Sequence, residues 1–386
     1  MVGAYQKWMH SWETRLANRD NNRIIRPLDW GLDWTQSWAC RNGVENSADP
    51  GSVLTALNRQ ILADSDRFFA YETPADFRLE VPTKPFTTNG TKVHEERANN
   101  SAGGAENLRF TSAVRTPFAE NNQVVARWFP ERHSPRTRNP GKRAVVVLPQ
   151  WNADAESHLG LCRLFSFLGI AALRLSLPYH DFRKPREIER ADYAVSANIG
   201  RTIDAARQAV IDTRSCLDWL ESQGYEQLGI VGTSLGSCYA FIASAHDPRL
   251  RVCAFNHAST YFADVVWTGQ STRHIRAGIE NAIDLERLRQ AWLAISPMAY
   301  FAQFERRAFS DRGYRQSLIV YATHDLTFPP ELSREIIAEF RRRDLQHEVA
   351  VLPCGHYSSG ETPYKYLDGF YLSRFLKRGF ARLGKQ

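Results

Sequence analysis

"LGIVGTSLGSCYAF", residues 228–241, runs from an apolar stretch through a Gly-x-Ser-x-Gly pentad into a segment with helical spacing. The pentad alone is common by chance, since glycine and serine are abundant residues. Its setting carries the reading. Leu228 to Val231 is a short apolar run with two branched residues, and Cys238, Phe241 and Ile242 recur at helical spacing after it. The order is therefore strand, sharp turn, helix. On such a turn the hydroxyl of Ser234 stands clear of a sheet, while the small flanking residues Gly232 and Gly236 tolerate strain and close packing. The N–H of Leu235, at the start of the helix, points to the same place and gains from the helix dipole.

Around this turn the chain from residue 107 alternates strand and helix patterns. "LRFTSAV" and "NQVVARWFP" read as an opening antiparallel pair, followed by "AVVVLP" (144–149), "IAALRLSLP" (170–178), the strand before Ser234, "VCAFNHA" (252–258), "LIVYATHD" (318–325) and "EVAVLP" (348–353). Ile199, Ile203, Ala206, Val210, Leu217 and Leu220 form one helical face, and Leu332, Ile336 and Phe340 another. That alternation predicts an α/β fold, a mostly parallel sheet with helices on both faces. Residues 259–317 are too long for an ordinary connection and carry helical, apolar content, which predicts a helical cap over the carboxyl ends of the strands. Trp267 and Trp292 within it are candidates for lining a substrate pocket, with anchoring of the segment to the core as the alternative.

Residues 1–106 read as a partly helical N-terminal extension, with "VLTALNRQILADSDRFFAY" (53–71) as its helix and a polar, flexible loop at 87–106. The tryptophans of "LDWGLDWTQSW" (28–38) suit packing anchors or an aromatic lid.

Composition narrows the function classes. With 43% hydrophobic and 24% charged residues the chain can build a large core, and its longest apolar runs are far too short for a transmembrane segment. The first twenty residues lack an apolar signal region, so the expected location is cytoplasmic. Six cysteines fall without any Cys-x-x-Cys pair, which indicates neither a disulfide framework nor a structural zinc site. The net charge of +7 and the basic clusters 134–143 and 341–343 carry no interleaved aromatics, and are read as solvated surface rather than a nucleic-acid site.

A serine nucleophile needs a base and a group that orients the base. Asp325 lies just past one strand and His356 in the loop after the next, so the chain order is Ser, Asp, His, all at carboxyl ends of predicted strands. His324, His257, Asp181 and Asp264 also lie near strand ends and are rival partners, while Ser237, Ser358 and Ser359 lack the sharp turn.

With "GTSLG", "THD" and "CGH" in this order, the sequence resembles the α/β-hydrolase superfamily of serine esterase and lipase type over roughly residues 107–386. The resemblance implies Ser234 as nucleophile, His356 as general base and acid, and Asp325 as the orienting acid. It also implies an oxyanion hole from the backbone N–H groups of Leu235 and of Trp151, or else Gln150. Many members carry His-Gly after the strand equivalent to "AVVVLP", where this chain has Pro149 and Gln150. The implied reaction is hydrolysis of a small-molecule carboxylic ester through an acyl-enzyme, with neither metal nor organic cofactor. A peptidase or amidase using the same residues, and a non-catalytic binding protein on the same fold, are the alternatives. Oligomeric state is open.

Overall fold

The computed structural model describes residues 2–19, 22–38, 40–41, 49–81, 106–132, 142–309 and 315–384. Its centre is a nine-stranded sheet: β1 (Arg78–Glu80), β2 (Glu106–Thr111), β3 (Gln123–Phe129), β4 (Arg143–Leu148), β5 (Ala171–Leu175), β6 (Gln227–Thr233), β7 (Leu250–Asn256), β8 (Gln316–Ala322) and β9 (His347–Leu352). The spatial order is β1-β2-β3-β5-β4-β6-β7-β8-β9. The first four in that order pair antiparallel, and from β5 to β9 every pairing is parallel. Each strand expected from residue 107 onward is present, including the opening antiparallel pair.

The continuous apolar runs follow from this architecture, because a parallel sheet covered on both faces buries every side chain. Along β4, Val146 and Leu148 face one layer with Ile203 and Val210 of helix Ile199–Ser222 and Phe241 of helix Leu235–His246. Val145 and Val147 face the other, with Phe165 of helix Leu159–Phe167 and Phe375 of helix Tyr364–Leu383. The helical face predicted from Ile199 to Leu220 is buried throughout.

The N-terminal residues contribute to the same body. Helix Pro50–Ala63 sets Val53, Leu54, Leu57 and Ile61 into the first layer's core, and β1 extends the sheet. The helix starts at Pro50, capped by Asp49, three residues before the expected stretch 53–71, and ends at Ala63, where Asp64 caps a separate short helix, Ser65–Phe68. The stretch 87–106 expected as a loop lies outside the described residues except Glu106, which opens β2; of the basic cluster 134–143 only Lys142 and Arg143 are described. In the other cluster, Arg342 pairs with Glu339 and Arg343 with Glu305, both at 2.6 Å. Among the described residues no helix is long and apolar enough to cross a membrane.

Candidate active site

Ser234 sits between the last residue of β6 and the first of helix Leu235–His246, with φ 56° and ψ −120°. A non-glycine residue in that region is strained and persists only where its surroundings hold it. Here its N–H donates to the Asn256 carbonyl at the end of β7 (2.8 Å). The flanking glycines are required by close approach: a Cβ on Gly232 would stand 2.3 Å from the Gly236 carbonyl oxygen, and one on Gly236 would stand 2.3 Å from that of Leu148. The pentad is thus a packing solution between β6, its helix and the end of β4.

Asp325 follows β8 and is buried. Its Oδ2 accepts from His356 Nδ1 (2.9 Å), and its Oδ1 accepts from the backbone N–H groups of Thr327 and Phe328 (both 2.7 Å). Burial alone would push the carboxyl up, but the His356 charge and the hydrogen bonds from His356 and His257 hold it well below the usual carboxylate range. For His356 burial disfavours the imidazolium, and the charge and hydrogen bond of Asp325 outweigh it, so the ring's pKa is raised. Phe328 stacks on that ring, with centroids 5.4 Å apart and planes 2° from parallel.

His257 was a rival partner in the sequence, and the structure brings it to the same carboxylate. Its Nδ1 lies 2.8 Å from Asp325 Oδ2, and its ring meets His356 edge to face at 4.6 Å. Burial, rather than any partner, dominates its titration and lowers its pKa. The pairing follows from sheet order, since β7 lies between β6 and β8 and the residue after Asn256 emerges between Ser234 and Asp325. The other rivals are engaged elsewhere: Asp181 with Arg174, Asp264 with Arg289, and His324 against the rings of Tyr5 and His10.

A second contributor has no local signal in the sequence. Glu13, on the N-terminal helix Val2–Ala17, is fully buried and accepts the backbone N–H groups of Tyr357 (2.8 Å) and Ser358 (2.7 Å). It packs so closely on Gly355 that a Cβ there would come within 2.2 Å of its side chain. The loop bearing His356 is therefore held from a helix more than three hundred residues away.

Ser234, His257 and His356 line one cavity of about 810 Å³, as do Leu235 and Trp151. The loop after β4 reaches this position without a glycine, because Asn152, a residue that tolerates the left-handed region, takes φ 60°. Asn152 Oδ1 accepts the Ala191 N–H (2.7 Å) and Trp151 Nε1 donates to the Ala191 carbonyl (2.9 Å). His274 stacks on the Trp151 ring. The segment expected as a cap supplies Phe262, Val265, Val266 and Thr272 to the cavity wall. Trp267 and Trp292 are not part of the lining. Trp292 is wholly buried, packed on Phe262 and donating through Nε1 to the Ile199 carbonyl (3.3 Å), while Trp267 lies under the Arg276 guanidinium. Among the described residues, the one trio of ligand type whose atoms converge, within 4.8 Å, is His257, Asp325 and His356, and those atoms are already joined by hydrogen bonds.

The sheet order, with a serine turn after β6 and Asp and His after β8 and β9, decides the architecture. This is the α/β-hydrolase fold. Solved structures agree. An acetyl xylan esterase from a Paenibacillus species superposes with a TM-score of 0.55 at 12% identity, over 95% of this chain and 99% of that one. Acetyl xylan esterase 1 from a Thermoanaerobacterium species gives 0.53 at 14% identity, over 91% and 99%. The acylaminoacyl peptidase of Pyrococcus horikoshii gives 0.54 at 11% identity over 72% of this chain, which spans only 42% of that longer enzyme. No protein-family model matches the chain.

Proposed function

We propose that the protein is a serine hydrolase that cleaves carboxylic esters through an acyl-enzyme. The observation that carries this reading is that a serine on a strained strand-to-helix turn borders the same cavity as a histidine paired to a buried, ionised aspartate. With Nδ1 donating to Asp325, the lone pair of His356 is on Nε2, the nitrogen a general base uses. In this reading Nε2 takes the Ser234 hydroxyl proton as Oγ attacks the ester carbonyl. The oxyanion that forms is met by the backbone N–H groups of Leu235 and Trp151. Collapse expels the alcohol, which leaves with the proton carried by His356. Water then repeats the sequence on the acyl-enzyme and releases the acid and free Ser234.

The cavity wall at Phe262, Val265 and Val266 is apolar and suits an acyl group screened from water. The test is labelling by a fluorophosphonate together with turnover of p-nitrophenyl acetate. Labelling and turnover, both lost in Ser234→Ala, support the reading. A wild-type protein that is neither labelled nor active on esters overturns it, and activity on aminoacyl anilides in place of esters assigns the same residues to amide hydrolysis.

A further inference from the structure

The cavity wall also includes residues of helices Leu159–Phe167 and Tyr364–Leu383. Val231 of β6 and Val252 and Ala254 of β7 face the layer that holds Leu372 and Phe375 of helix Tyr364–Leu383. By the two-residue alternation of a strand, Thr233 and Asn256 face the same way at the rim of the sheet. Both line the cavity, together with Leu161 and Leu164 of helix Leu159–Phe167 and Tyr366 and Gly369 of helix Tyr364–Leu383, and this part of the wall is called its second arm. Ser234, next after Thr233, lines the same cavity, as do Phe262 and Val265.

The floor of the arm leaves polar atoms unmatched. Asn256 is 1% exposed, and its Nδ2 donates to Asp368 Oδ2 at 2.9 Å. Asn256 Oδ1 and Asp368 Oδ1 are both buried without a protein partner. Buried acceptors of this kind are rare in folded proteins and call for a donor from solvent or ligand. Both residues border the cavity, so the donor can be a ligand's. Two considerations select hydroxyls over an ammonium group. Lys365 lines the same arm and repels a cation. Burial also raises the Asp368 carboxyl to about 7, so near neutrality it presents either a carboxylate or an acid O–H, and a hydroxyl can answer both.

We propose that this second arm binds the hydroxyl-bearing alcohol portion of the substrate, with Asn256 and Asp368 as its recognition pair, so that the preferred esters are those of polyols. The assignment of this portion as a leaving alcohol rests on the esterase reading; hydroxyl binding by the arm does not.

Two esters that differ only in hydroxyls test it: 1-acetylglycerol and propyl acetate. The wild-type kcat/KM ratio should favour 1-acetylglycerol by about tenfold or more, and Asn256→Leu and Asp368→Leu should each cut that ratio by about tenfold. Asp368 lies on a partly exposed helix position, which makes its variant the safer of the two should Asn256→Leu fail to fold. A wild-type ratio near one, or a ratio unmoved in a folded variant, overturns the proposal and assigns the arm to water. If the protein cleaves no ester at all, the esterase reading fails, and glycerol binding followed by saturation-transfer NMR still decides the arm. Binding lost in Asp368→Leu supports it, and absence of binding to the wild type overturns it.

Discussion

At Asp325, N–H groups from His257, His356, Thr327 and Phe328 converge on one carboxylate. With that many donors the carboxylate stays ionised, and its charge is shared between two imidazoles. His356, whose pKa is raised, is the ring that takes up a proton first as pH falls, and His257, whose pKa is lowered, takes one up later. With His356 as the proposed base, required unprotonated, kcat/KM should rise with pH through a midpoint above about 6.5, the ordinary histidine value, and a pH–rate profile checks it. Replacing His257 with Leu removes a donor that draws on the Asp325 charge, which leaves more of it for the His356 imidazolium. The midpoint in that variant should therefore move further up. Ser234→Ala and His356→Ala should each remove nearly all turnover, with little added loss in the double variant. Asp325→Asn should lower kcat by about 10⁴, measured under saturating ester, because the amide can no longer fix the Nδ1–H tautomer.

At the scale of the element, the strands were legible because burial on both faces writes an uninterrupted apolar run, as in "AVVVL", and the turn at Ser234 was legible because its two glycines answer to backbone approaches within a few residues. The segment expected as a cap was legible only as a segment. Its aromatic content did not distinguish side chains that face the cavity from those that hold the segment down, because both need apolar surface. Phe262 and Val265 do the first, Trp292 the second. Trp292→Ala should accordingly cost about 3–5 kcal/mol of stability, seen in denaturant unfolding, without changing the preference between short and long acyl esters. Phe262→Ala should change that preference. His257 was visible as a residue after a strand, but its tie to Asp325 depends on which strands are neighbours in space. The pairing of Asn256 with Asp368 joins residues 112 apart and leaves no local pattern at either.

Across the whole molecule, the chain's first helix supports its last catalytic-loop candidate. Glu13→Ala leaves the buried Ser358 N–H without its acceptor, at about 1–3 kcal/mol, and frees the part-buried Tyr357 N–H as well. Loosening that loop displaces His356 from the line of reaction, so kcat should fall more than KM rises, a split that steady-state kinetics resolves. None of this was readable in advance, since a carboxylate on one helix and two amides 344 and 345 residues later share no periodicity.

The same clamp sets an order on biosynthesis. A ribosome delivers Glu13 early and the Tyr357–Ser358 turn late, and at about 5–20 residues per second the interval between them is roughly 20–70 s. Throughout that interval the carboxylate has no amide to receive, and until its end the pocket bearing Ser234 lacks His356. If Ser234 and His356 work as proposed, a chain stalled or cut short before residue 356 stays chemically silent, so reactivity toward an active-serine reagent would count finished molecules rather than partial ones.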